Sequence, residues 1–182
     1  MADAPSRVPA PSPARLDPTI TAVLVLDMTL YASGPNPRHE AILPGLAHFL
    51  DRARQAGAPI VFTGARTQLG QPVEPALGHR PDEPLIYPDA FDKFKPGELR
   101  PLLDHHGVRE LVITGGAANM AVMYTATAAA RDEHYQVYIP LDGVYTPDAY
   151  RYEYALYQLT VLPGATIPPR FTTLGEIEFI AA

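Results

Sequence analysis

Apolar runs of strand length alternate along this chain with segments whose apolar positions recur every three or four residues. Ala22-Val23-Leu24-Val25-Leu26 is uninterrupted and ends at Asp27, the pattern of a strand covered on both faces. Over 39–56, Ile42, Leu46, Phe49, Leu50 and Ala53 fall at helical spacing and Gly57 closes the segment. The pattern then predicts strands at 59–63, 85–87, 109–114 and 135–139, and helices at 98–106 and 119–132. A tyrosine-rich helix starts near Pro147-Asp148. Thr166-Ile167 and a short helix starting at Thr172-Thr173 finish the fold. Residues 64–84 carry repeated Gly and Pro without periodicity, which makes a long loop of the kind that covers a site.

Strands alternating with helices through short connections predict an α/β chain. The expected fold is a three-layer α/β/α, Rossmann-like domain around a mostly parallel central sheet. Ligands in such folds bind outside the carboxyl ends of the strands. Three places lie there: Asp27, the loop holding Arg66, and the turn Gly115-Gly116-Ala117-Ala118-Asn119-Met120-Ala121-Val122. Residues 1–18, rich in Pro, Ala and Ser, read as a flexible N-terminal tail or a strap, because they hold too few large apolar side chains to order themselves.

At 182 residues, one domain is expected, with 19–182 as its extent and a sizeable core. A net charge of -6 with 14 Lys plus Arg, and no basic run, argues against nucleic acid or an anionic membrane as partner and for a small molecule, neutral or cationic. The absence of cysteine excludes disulfides and any thiol nucleophile. No cofactor and no metal are expected: the six His are scattered, and Asp104-His105-His106 sits where side chains cap a helix end. With no long apolar run and no secretory leader in the sequence, the expected compartment is the cytoplasm.

The chemistry is sparse. Asp27, partly desolvated at a strand end, can serve as a general base or merely cap a turn. Lys93, between Phe91 and Phe94, can hold an anion or partner an aspartate, or lie on the surface paired with Asp92. The Gly115-Gly116 pair permits an unusual backbone path, and the Met120 and Ala121 amides at a helix start are expected donors for an oxyanion. The turn lacks the G-x-G-x-x-G dinucleotide pattern, so its alternative reading is a packed strand-helix corner.

Four stretches carry a resemblance: TAVLVLDM at 21–28, DAFDKFKPGEL at 89–99, ELVITGGAANMAVMYTATAA at 110–129 and YIPLDGV at 138–144. Together they resemble the isochorismatase-like hydrolases, a superfamily that includes nicotinamidases and other cysteine amidohydrolases, over about residues 21–179. The resemblance implies that Asp27 is the catalytic aspartate and that a lysine completes the pair. A gapless alignment on Phe94 and Leu99 sets Pro88 at the family's lysine position and leaves Lys93 five residues along. A branch of the superfamily with Asp-Lys-Phe before this helix favours Lys93. The family pattern T-G-x-x-T-x-x-C-V puts Ala121 at the cysteine's place. True isochorismatases also lack the cysteine and hydrolyse a vinyl ether through the aspartate and water, but their tyrosine and histidine in this turn correspond to Ala117 and Asn119 here.

The resemblance therefore implies a cysteine-independent hydrolase or lyase with Asp-based acid/base chemistry on a vinyl ether, enol or C–N bond. Its catalytic positions are Asp27, Lys93 and Ala121, and its pocket is lined by Tyr31, Arg66, Phe91, Ala117, Asn119 and Met120. The alternative is a catalytically inactive relative that binds a metabolite or a protein partner. A homodimer or homotetramer is expected, through the tyrosine-rich helix at 148–160 and Met123, since aromatic residues and Met are enriched at interfaces.

Overall fold

A computed structural model describes residues 8–30 and 36–180. Residues 1–7 and Tyr31 lie outside the described residues. In chain order the elements are β1 (Ala14–Leu16), β2 (Thr21–Leu26), α1 (Pro37–Ala56), β3 (Ile60–Thr63), β4 (Leu85–Ile86), α2 (Leu99–His105), β5 (Glu110–Gly116), α3 (Met123–Arg131), β6 (Gln136–Pro140), β7 (Val144–Tyr145), α4 (Ala149–Thr160), β8 (Arg170–Thr172) and β9 (Ile177–Phe179). The main sheet is parallel, in the order β4-β3-β2-β5-β6-β8, with β7 pairing the end of β5.

The α/β architecture expected from the sequence is present, and alternation along β2 shows why. Ala22, Leu24 and Leu26 pack with Leu103 of α2, Val122 just before α3, Ala126 of α3 and Leu156 of α4. Val23 and Val25 point the other way, onto Leu46, Phe49 and Leu50 of α1. A strand buried on both faces has to be apolar nearly throughout, as this one is from Ala22 to Leu26. Asn36 caps α1 through its side chain, accepting from the Arg38 N–H, and Gly57 ends the helix in the left-handed conformation.

Several elements differ from the pattern-based expectation. From Val8 on, the N-terminal stretch is a strap rather than a flexible tail. β1 runs parallel to β9, the Ser12 N–H donates to the Phe171 carbonyl at 2.9 Å, and Leu16 is fully buried. Arg52 of α1 holds this corner by donating to the carbonyls of Leu174 and Ile177. Composition alone hides this, because the strap is ordered by pairing with the opposite end of the chain. Leu16→Ala is therefore expected to cost about 2–5 kcal/mol, measured by denaturant unfolding, whereas a free tail would show no effect.

At the other end, Ile167 is 42 % exposed, Thr172 belongs to β8, and only a single 3-10 turn, Leu174–Glu176, stands where a last helix was expected. Among the described residues no helix is long and apolar enough to cross a membrane.

Candidate active site

The site is built at the carboxyl ends of β2, β3 and β5, where the three strands release Asp27, the 64–68 segment and the 115–122 turn. Asp27 follows β2 with a φ of 52°, a left-handed conformation that Asp tolerates better than most residues. Its N–H donates to the Thr63 carbonyl at 2.9 Å, which locks it to the end of β3. Its Oδ1 accepts from Lys93 Nζ at 2.8 Å and from the Thr63 hydroxyl at 3.2 Å. Both bonds fall on Oδ1, so Oδ2 has no hydrogen-bond partner among the described residues.

Lys93 is 1 % exposed, one of the largest fully buried side chains. Burying an ammonium is costly unless a counter-charge meets it, and Asp27 is that counter-charge. Asp92, the surface partner considered from sequence, instead faces Lys95 at 3.7 Å and accepts from the Phe94 N–H. The segment is fixed from behind by Thr125 of α3, whose hydroxyl accepts from the Lys93 N–H at 3.1 Å and donates to the Phe91 carbonyl at 3.2 Å. Thr125→Val leaves the buried Lys93 N–H and the Phe91 carbonyl without this partner. A loss of about 1–3 kcal/mol in unfolding free energy is expected; an unchanged midpoint would show that the anchor is dispensable.

Glycine is required where β5 turns. A Cβ on Gly115 would stand 2.2 Å from the Leu26 carbonyl oxygen, and the residue has φ +94°; one on Gly116 would meet the Tyr145 ring at 2.2 Å. The Gly116–Ala117 peptide bond is cis. The following Ala118–Val122 is a single π-type turn leading into α3, not the start of a regular helix.

This turn corrects the oxyanion expectation for the Met120 amide. The Met120 N–H donates to the Ala117 carbonyl at 2.9 Å, so it is consumed within the turn. Ala121 is 1 % exposed and packs in the core with Val122 and Ala126. Asn119 does not line the cavity either; its Oδ1 accepts from the buried Thr146 hydroxyl at 2.9 Å and ties the turn to the segment after β7.

Two adjoining hollows share Asp27, Ala65 and Phe91. One, about 400 Å³, is lined also by Arg66, Pro88, Asp89 and Lys93. The other, about 340 Å³, is lined by Gln68, Gly116, Ala117, Met120, Tyr145 and Pro147. Small-molecule sites commonly fall at roughly 300–1,000 Å³. Of the sequence candidates, Asp27, Lys93, Arg66, Phe91, Ala117 and Met120 thus meet at one place. Pro88, the residue that the gapless alignment sets at the family's lysine position, lines the same hollow as Lys93. Gln68, Thr63 and Tyr145 escaped the sequence reading: Gln68 sits in a segment without periodicity, and Tyr145 in a strand of only two residues.

A further hollow, about 230 Å³, lies at the amino ends of β3 and β4, but its Arg54 and Glu83 already pair at 2.7 Å. Behind the site, burial pushes the Tyr152 phenol up to about 12, with the Asp142 charge adding to it; the protonated hydroxyl donates to the Leu141 carbonyl at 2.6 Å and pins α4.

The class that fold and site define is thus an α/β domain with a parallel sheet and an Asp27–Lys93 ion pair at its carboxyl edge. The Isochorismatase domain family model matches residues 21–169, so the chain belongs to the isochorismatase family. No curated protein matches it. Among solved structures, an isochorismatase-like hydrolase from Alkaliphilus metalliredigens is similar with a TM-score of 0.73 at 23% identity, over 86% of this chain and 96% of its own. A cysteine hydrolase from Pseudomonas syringae pv. phaseolicola superposes at a TM-score of 0.74 and 18% identity, over 93% of each chain. An isochorismatase family protein from Burkholderia thailandensis reaches 0.75 at 20% identity, over 91% of this chain and 97% of its own. At these identities the likeness is one of fold.

Proposed function

We propose that this chain is a hydrolase that acts on a small molecule through Asp27 and water, without a covalent thiol intermediate. The observation that carries the reading is the Asp27 carboxylate: one oxygen is held by Lys93 and Thr63, and the other has no hydrogen-bond partner among the described residues, in a residue that lines two small-molecule-sized hollows. Such an oxygen is placed to take a proton from a water molecule, given hydrogen-bond reach. The water oxygen then bonds to the carbonyl carbon of a C–N substrate; with a vinyl ether or enol-type substrate the carboxyl, in its protonated form, first gives a proton to the terminal carbon, and the water oxygen bonds to the oxocarbenium carbon so formed. The bond to the leaving group breaks, and the proton held on Oδ2 passes to the leaving atom. Lys93 keeps the carboxylate charged before the step with a C–N substrate and holds it in place throughout. A lyase reaction would use the same proton acceptor.

Support for a route without a nucleophile is compositional: Ala121 occupies the family's cysteine position, and the chain has no other thiol. The competing reading is an inactive relative that only binds. Incubation with a panel of amides, vinyl ethers and enol-type acids, read by mass spectrometry, separates the two. Product from at least one compound class is expected; none across the panel would leave the binding role.

The proposal extends to a cytoplasmic homo-oligomer. Tyr150, Tyr154 and Tyr157 of α4 and Tyr124 of α3 are exposed at 77, 46, 38 and 51 %, an aromatic face of the kind that interfaces use. Sedimentation is expected to give a dimer or tetramer, and a monomer at micromolar concentration would count against it.

A further inference from the structure

We infer that Gln68 is a substrate-binding residue whose carboxamide N–H pair is held toward the cavity to grip a planar oxygen acceptor, the carbonyl of an amide or the carboxylate of an acid. Gln68 Oε1 accepts from the Ala65 N–H at 3.2 Å and from the Thr29 hydroxyl at 3.0 Å. A backbone N–H can only donate, so the end of the amide facing Ala65 has to be the oxygen. The nitrogen is thereby turned to the opposite side, and among the described residues Nε2 makes no hydrogen bond.

Both anchors are firm. Thr29 is fully buried, and the Gln68 N–H closes the same turn by donating to the Ala65 carbonyl at 2.8 Å. The side chain of Gln68 lines the hollow that also holds Asp27, Ala117 and Met120. A fixed donor pair without a partner among the described residues, beside a carboxylate oxygen that likewise has none there, is a built complement to a substrate bearing an oxygen acceptor next to its reacting carbon. It also supplies what the 115–122 turn lacks, since the Met120 N–H is already taken by Ala117.

This inference rests on the cavity being the substrate site but not on turnover. The probes are benzamide and benzoate, titrated into the full chain while the side-chain amide signals of Gln68 are followed by NMR. Saturable movement of those signals by one or both probes is expected. Gln68→Glu keeps the acceptor oxygen for Ala65 and Thr29 and loses the donors, so it should weaken benzamide binding about tenfold with no fall in melting temperature. For benzoate, where a new carboxylate would add repulsion, Gln68→Met gives the equivalent reading. Thr29→Val, which touches no ligand, should weaken either probe several-fold and serves should the Gln68 variants fold poorly.

Failure of both probes to move the Gln68 signals, or benzamide affinity within twofold of wild type in Gln68→Glu, overturns the inference. Probe binding with no turnover anywhere in the panel would remove the hydrolase reading alone. Turnover that depends on Asp27 with unaltered probe binding in the Gln68 variants would do the reverse.

Discussion

Replacing Asp27 with Asn is expected to lower turnover roughly a hundredfold to ten-thousandfold, the usual worth of a positioned general base. The variant keeps the size of the side chain and can still accept from Thr63 through its carbonyl oxygen. What it loses is a carboxylate oxygen able to take a proton, together with the counter-charge to Lys93, 2.8 Å away and 1 % exposed. That second loss has its own cost, because a buried ammonium left without its partner destabilises by about 3–5 kcal/mol. The double variant Asp27→Asn, Lys93→Met separates the two effects: with the orphaned charge removed, the melting temperature should recover in part while activity stays lost. Activity regained along with stability would mean that the aspartate serves only the fold.

Gly115→Ala is expected to be the most damaging small substitution in the sheet. The new Cβ would stand 2.2 Å from the Leu26 carbonyl oxygen, a backbone atom at the last rung of the β2–β5 ladder, where the paired strands leave it little room to step aside. The φ of +94° adds a conformational penalty that no side chain relieves. Together these come to about 3 kcal/mol or more. For a chain of this size that lowers the melting temperature by roughly 6–12 °C in calorimetry. Because Leu26 immediately precedes Asp27, residual activity should fall by more than the folded fraction does. Gly57→Ala, also at positive φ but with open space around it, is the control: it carries the backbone penalty without the collision.

How much of this could be read from the amino acids alone follows from the range of the interactions. The strands at 21–26 and 109–114 are legible from their apolar centres, 22–26 and 111–113, because burial on both faces forces apolar residues there, and Asp27 stands out as the first polar residue after such a run. Ile42 to Ala53 announced α1 by spacing. β7, β8 and the β1–β9 pair were not legible: each is two or three residues long and is defined by a partner far away in the chain. Apart from the resemblance, Lys93 is a candidate only by its neighbours Phe91 and Phe94. Its place against Asp27 is set by the Thr125 hydroxyl, which no local pattern reveals. Asn119 was misassigned for a similar reason, since a turn residue and a cavity residue look alike until Thr146 is seen to claim its side chain. Gln68 lies among Gly and Pro breakers, where periodicity offers no guide, and only its two anchoring bonds orient it.

The most direct measurement of the central claim is the substrate panel run in water enriched in the heavy oxygen isotope, with wild-type protein and Asp27→Asn side by side. The account predicts heavy oxygen in the product formed by wild type, none in the peptide containing Asp27, and little product from the variant. Equal product from both proteins, or heavy oxygen built into the Asp27 carboxylate, would contradict it.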